Sequence, residues 1–112
     1  MSFDTYMDTS GIQVIDCPPR LDVNVSDQLK VIMAEIIDSG KHKIVINLTK
    51  TRYMDSSGLG AVVSRIAVTR ANQGDIRIAT KMKAIVDLLD ITHLNKILKR
   101  YDSVENAIAS FS

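Results

Sequence analysis

Apolar residues along the chain recur at two spacings, one suited to strands and one to helices. In residues 3–9, FDTYMDT, apolar and polar positions alternate weakly, and Ser10-Gly11 then signals a turn. Residues 12–17, IQVIDC, contribute Ile12, Val14 and Ile15 as strand formers. The two stretches predict an N-terminal hairpin. Pro18-Pro19 ends it, because proline has no N–H to donate to a ladder. Over 25–40 the spacing changes: Val25, Leu29, Ile32, Met33, Ile36 and Ile37 fall three and four residues apart and line one face of a helix. Ser26 or Asn24 is expected to cap its start, and Gly40 to close its end.

The same alternation of periods continues. KIVINL (43–48) is a short run rich in β-branched residues, the mark of a central strand buried on both faces. Residues 55–74 read as one helix ending at Gly74, and DIRIAT (75–80) as a strand. A helix over 82–94 turns Ile85, Leu88 and Leu89 inward, and 96–101 holds a short edge strand. Residues 103–111 form a last helix capped by Ser103. The order β-β-α-β-α-β-α-β-α predicts an α/β fold. Strands separated by helices pair in parallel through right-handed crossovers, and the hairpin adds an antiparallel edge. The result is a small mixed β-sheet with helices mainly on one face, in a single domain over 1–112.

Composition narrows the function classes. The 112 residues are 46% hydrophobic and 24% charged, with a net charge of +1. Lys and Arg are interspersed with Asp and Glu, so no nucleic-acid partner is expected. No apolar run approaches the roughly 18 residues needed to span a bilayer, and MSFDTYMDTS is too polar for a signal peptide. The lone Cys17 fits a reducing, cytoplasmic setting and reads as a small buried residue. His42 lies in a charged turn and His93 at the end of a helix, neither beside a partner for acid–base work. No metal-ligand spacing, phosphate-binding loop or nucleophile elbow is present. No catalytic residue, cofactor or metal is therefore expected.

One stretch stands apart from this pattern, YMDSSGLG (53–60). Asp55, Ser56 and Ser57 fall where the 43–48 strand passes toward the next helix, at the edge where open α/β sheets receive ligands and partners. Asp55 or Ser56 can cap that helix. Gly58 and Gly60 each cost about 1 kcal/mol relative to alanine inside a helix. They either open the turn to a partner's backbone or serve internal packing. A phosphate on Ser56 would add roughly −1.5 to −2 charges. The helix N-terminus tolerates an anion, whereas an apolar or acidic partner surface does not. Val62, Val63 and Arg65 are further candidate contacts, although Val62, Val63 and Ile66 also suit the core. Tyr53 and Met54 are expected to pack under the helix start.

The segments VINLTKTRYMDSSGLGAVVSRIAVTRANQGDIRI and AIVDLLDITHLNKIL resemble the STAS family, and within it the bacterial anti-sigma factor antagonists. The likeness runs from about Asp4 to Ser110, and MDSSGLG with a downstream LLDITHLNKI is a specific pairing. The resemblance implies the STAS fold and a cytoplasmic, non-enzymatic partner switch, commonly a monomer. In it the unphosphorylated antagonist binds a GHKL-type serine kinase/anti-sigma factor and releases the sigma factor. The kinase phosphorylates the serine that follows the aspartate, and a PP2C-type phosphatase reverses this. Matched onto this chain, the phosphoacceptor is Ser56, with Asp55 before it and Ser57, Gly58, Leu59 and Gly60 completing the docking turn, and Asp22 matches the acidic residue expected near the kinase interface. Two departures stand out: Pro18-Pro19-Arg20 replaces the family's glycine and acidic residue, and the NQGD turn carries one glycine where relatives often carry two. A STAS scaffold in a non-sigma signalling or transport complex, and a small-ligand site at the Ser56 turn, remain alternatives.

Overall fold

The computed structural model describes residues 3–112; Met1 and Ser2, which open the polar stretch read against a signal peptide, lie outside the described residues. The expected hairpin is β1 (Asp4–Met7) and β2 (Gln13–Asp16), antiparallel, with Tyr6 opposite Val14. The Asp8 carboxylate closes its turn by accepting from the backbone N–H groups of Ser10 and Ile12 and from the Ser10 hydroxyl. β2 pairs in parallel with β4 (Lys43–Asn47), β4 with β6 (Asp75–Ala79), and β6 with β7 (Lys99–Tyr101). The main sheet therefore has the order β1-β2-β4-β6-β7.

The period-two pattern assigns each face. Ile15, Ile44, Ile46, Ile76 and Ile78 point to one side, where they pack with Leu29, Met33, Leu59, Val62, Ile85 and Leu89 from the helices. Val14, Val45 and Ala79 point to the other, against Ala107 of α5 (Val104–Ala109) and the half-buried Phe111. Four helices thus share one face: α1 (Val23–Asp38), α2 (Ser56–Val63), α3 (Ile66–Ala71) and α4 (Lys83–Ile91). Cys17 is buried, and burial, with Asp16 beside it, pushes its thiol well above the ordinary range. Asp75, only 4% exposed, accepts from Arg70 Nε at 2.9 Å and Arg77 Nε at 3.0 Å. Arg77 also donates to Ser110 and lies over the Phe111 ring, which fixes the last helix to the sheet.

Several boundaries differ from expectation. α1 begins at Val23 rather than 25, and its cap is Asp22, not Ser26 or Asn24. Ser26 is buried inside the helix and bonds back to the Val23 carbonyl. The single helix expected over 55–74 is two. Ser64 turns its hydroxyl onto the Ala61 carbonyl at 2.7 Å, competing with the helical ladder, and Arg65 leaves helical geometry at φ −116°, ψ 11°. The helix expected over 82–94 stops at Ile91, and a single 3-10 turn at Leu94–Lys96 precedes β7, shortening the edge strand to three residues. In NQGD, Gln73 takes the left-handed φ of 66° that a second glycine would favour.

Candidate functional site

A two-stranded ribbon outside the main sheet builds the site. β3 (Arg20–Leu21) pairs in parallel with β5 (Tyr53–Met54), Arg20 against Tyr53 and Leu21 against Met54. Side chains alternate across a strand, so each pair shares a face. Leu21 and Met54 are buried in the core, while Arg20 and Tyr53 form the outer face. The prolines fit here because only their carbonyls are used: Pro19 accepts from Arg52 N–H at 2.8 Å and Pro18 from the Thr51 hydroxyl at 2.9 Å.

Each ribbon strand runs straight into a helix through an aspartate. The sequences Arg20-Leu21-Asp22-Val23 and Tyr53-Met54-Asp55-Ser56 lie side by side and do the same thing twice. Asp22 caps α1 by accepting from Asn24 N–H at 3.0 Å. Asp55 caps α2 by accepting from Gly58 N–H at 2.9 Å, and its second oxygen accepts from Val23 N–H at 3.2 Å. One carboxylate thus joins the N-termini of two helices. A capping side chain of this kind contributes about 1 kcal/mol.

The first helical residue of each unit faces water: Val23 is 64% exposed, and Ser56 is exposed too. Ser57 is half-buried, so exposure separates the two adjacent serines. The Ser56 hydroxyl makes no hydrogen bond among the described residues. It stands at a helix N-terminus whose orphan N–H groups and dipole favour a negative group.

The two glycines have different roles. A Cβ on Gly58 would lie 2.1 Å from the Leu21 carbonyl oxygen, so this glycine allows α2 to start against β3. Gly60 has open space around its Cβ position and is exposed. Of the predicted docking residues, Ser56 and Gly60 are exposed and Asp22, Asp55 and Ser57 half-buried, whereas Gly58 and Leu59 are buried and shape the turn from within. Val62 is fully buried and Val63 half-buried, so the valines serve the core. Tyr53 does not pack under the helix: it is 43% exposed. Sequence reading missed the ribbon because a two-residue strand carries too little alternation to register.

Comparison with known proteins places this architecture. The STAS domain family profile matches residues 9–107. The anti-sigma F factor antagonist of Paenibacillus polymyxa is 30% identical over 99 residues, covering 88% of this chain and 85% of the relative. The anti-sigma-B factor antagonist of Staphylococcus epidermidis is 29% identical over 86 residues, 77% of this chain and 80% of the relative. An anti-sigma-factor antagonist (STAS) domain protein from Planctomyces limnophilus superposes with a TM-score of 0.86 at 18% identity, over 97% of each chain. The Bacillus cell fate determinant SpoIIAA in its phosphorylated form gives 0.76 at 23% identity, over 99% of this chain and 100% of that one. These two likenesses establish the fold. The chain belongs to the STAS domain family, alongside the anti-sigma factor antagonists.

Proposed function

We propose that this protein is an anti-sigma factor antagonist working by partner switching in the cytoplasm. In its unphosphorylated form it binds a GHKL-type serine kinase/anti-sigma factor and so releases a sigma factor. That kinase phosphorylates Ser56, the complex dissociates, and a PP2C-type phosphatase resets the cycle. The protein contributes a surface rather than catalysis. The observation that carries this reading is Ser56 itself: an exposed, unbonded hydroxyl on the first residue of α2.

The physics of the switch follows from that position. The helix N-terminus accepts a phosphate without loss of fold. The same phosphate brings roughly −1.5 to −2 charges into a docked interface, where repulsion and desolvation oppose binding. A loss of about 3–4 kcal/mol would weaken the complex several-hundred-fold. The reading is tested by calorimetric titration of the kinase with wild type, Ser56→Ala and Ser56→Asp. Wild type and Ser56→Ala should bind alike, and Ser56→Asp should bind far more weakly. Wild-type affinity in Ser56→Asp would remove the charge switch.

A further inference from the structure

The outer face of the ribbon carries more than the phosphoacceptor requires. The Arg20 guanidinium lies 4.4 Å from the centroid of the Tyr53 ring, and its Nε is 3.5 Å from Asp22 Oδ2. An arginine has five N–H donors, and those of Arg20 beyond its contact with Asp22 have no partner among the described residues. Its side chain is 58% exposed. Stacking on an aromatic ring holds a guanidinium in place while leaving its edge able to bind. Arg52, one residue before Tyr53, is exposed and without an ion pair among the described residues.

The acids nearby are directed differently. Asp22 and Asp55 accept backbone N–H groups at the helix starts and are half-buried. The formal charges of Arg20 and Arg52 against Asp22 and Asp55 sum to zero. Asp22 reaches Arg20 only at 3.5 Å and, like Asp55, is half-buried, so the exposed surface of the ribbon is presented mainly by the two arginines. We infer that the Arg20–Tyr53 stack is the specificity element of the docking turn and receives an acidic segment of the partner kinase. This rests on the partner-switch reading above and adds the partner's chemistry to it.

Arg20 and Tyr53 pair in register three residues ahead of the helix starts Val23 and Ser56, so the stack belongs to the same ribbon that delivers Ser56. It also deepens the switch. Phosphate on Ser56 turns a balanced patch net negative, so an acidic segment drawn by Arg20 is repelled after modification. The departure Pro18-Pro19-Arg20 then becomes a device for partner choice, since charge complementarity selects among partners and speeds encounter.

The test uses the kinase purified by its Ser56-phosphorylating activity and the full chain. Dissociation constants are measured for wild type, Arg20→Glu, Arg20→Lys and Tyr53→Leu at several salt concentrations, with thermal melts confirming that each variant folds. Arg20→Glu should weaken binding by about tenfold or more and flatten its salt dependence. Arg20→Lys, which keeps the charge but not the flat stacking surface, and Tyr53→Leu should fall between. Wild-type affinity and salt dependence in folded Arg20→Glu would overturn the inference and leave the switch standing, as would tighter binding. Arg20-dependent binding to phosphatidylglycerol vesicles with kinase affinity unchanged would overturn it in favour of a membrane. A wild-type chain that no kinase modifies at Ser56 would instead remove the reading beneath it.

Discussion

Adding one methyl group at Gly58 and one at Gly60 should move stability in opposite directions. In an ordinary helix each Gly→Ala change stabilises by about 1 kcal/mol. At Gly60 nothing lies within 4 Å of the new Cβ, so Gly60→Ala should realise most of that gain. At Gly58 the new Cβ would fall 2.1 Å from the Leu21 carbonyl oxygen and 3.0 Å from the Leu21 carbonyl carbon. Ordinary contact begins at 3.4 Å, so the start of α2 must retreat by roughly 1 Å from a backbone that cannot rotate away. That movement pulls at the Asp55–Gly58 cap and the Asp55–Val23 bond. Losing a cap costs about 1 kcal/mol, and overpacking a fitted contact about 1–3 kcal/mol. Set against the helix-propensity gain, the net destabilisation is about 2 kcal/mol. At about 4 °C per kcal/mol, the melting temperature falls by about 8 °C in Gly58→Ala and rises by about 4 °C in Gly60→Ala. Scanning calorimetry of both variants with wild type reads the difference. Equal or raised stability in Gly58→Ala would show that the ribbon does not confine the start of α2.

Two other predictions concern carboxylates. Asp55→Ala removes the acceptor for both helix starts at once, so it should cost about 2 kcal/mol by urea denaturation, and amide exchange should accelerate at Val23 and Gly58 together; acceleration at Gly58 alone would break the link between the helices. The Asp8 carboxyl is held below its ordinary value of 3.8 by hydrogen bonds from the Ser10 hydroxyl and the Ile12 N–H. A depressed folded-state value stabilises the hairpin above the unfolded pKa, and that contribution is lost as pH falls through the folded one. Exchange at Ile12 should therefore accelerate below about pH 3.8 in wild type but show no such step in Asp8→Asn; a step of equal size in both would remove Asp8 as its cause.

Where local pattern and tertiary fold agree, the sequence was a good guide. The isoleucines of β4 and β6, the α1 stripe and the Ser103 cap all lie where their spacing puts them. It failed where a single side chain overrode the period. α2 ends at Ser64, whose hydroxyl bonds back to the Ala61 carbonyl, although the apolar residues around it would continue the helix. The family resemblance points to Asp22 but not to its role as a cap, since recognising a cap needs the ribbon that delivers the chain into α1. The split between Gly58 and Gly60 is likewise tertiary: it depends on which backbone passes beside α2, and no spacing of residues records that. Tyr53 and Met54 are both expected under the helix start, but only Met54 is buried there; pairing with Arg20 places Tyr53 on the outside.

The proposed switch is the exposed first residue of α2. Intact-mass analysis with peptide mapping, after incubation with ATP, Mg²⁺ and the purified kinase, addresses it most directly. One added phosphate is expected, located on Ser56, absent in Ser56→Ala, kept in Ser57→Ala, and accompanied by dissociation of the complex. Phosphate on Ser57, or a complex that persists after Ser56 is modified, would contradict it.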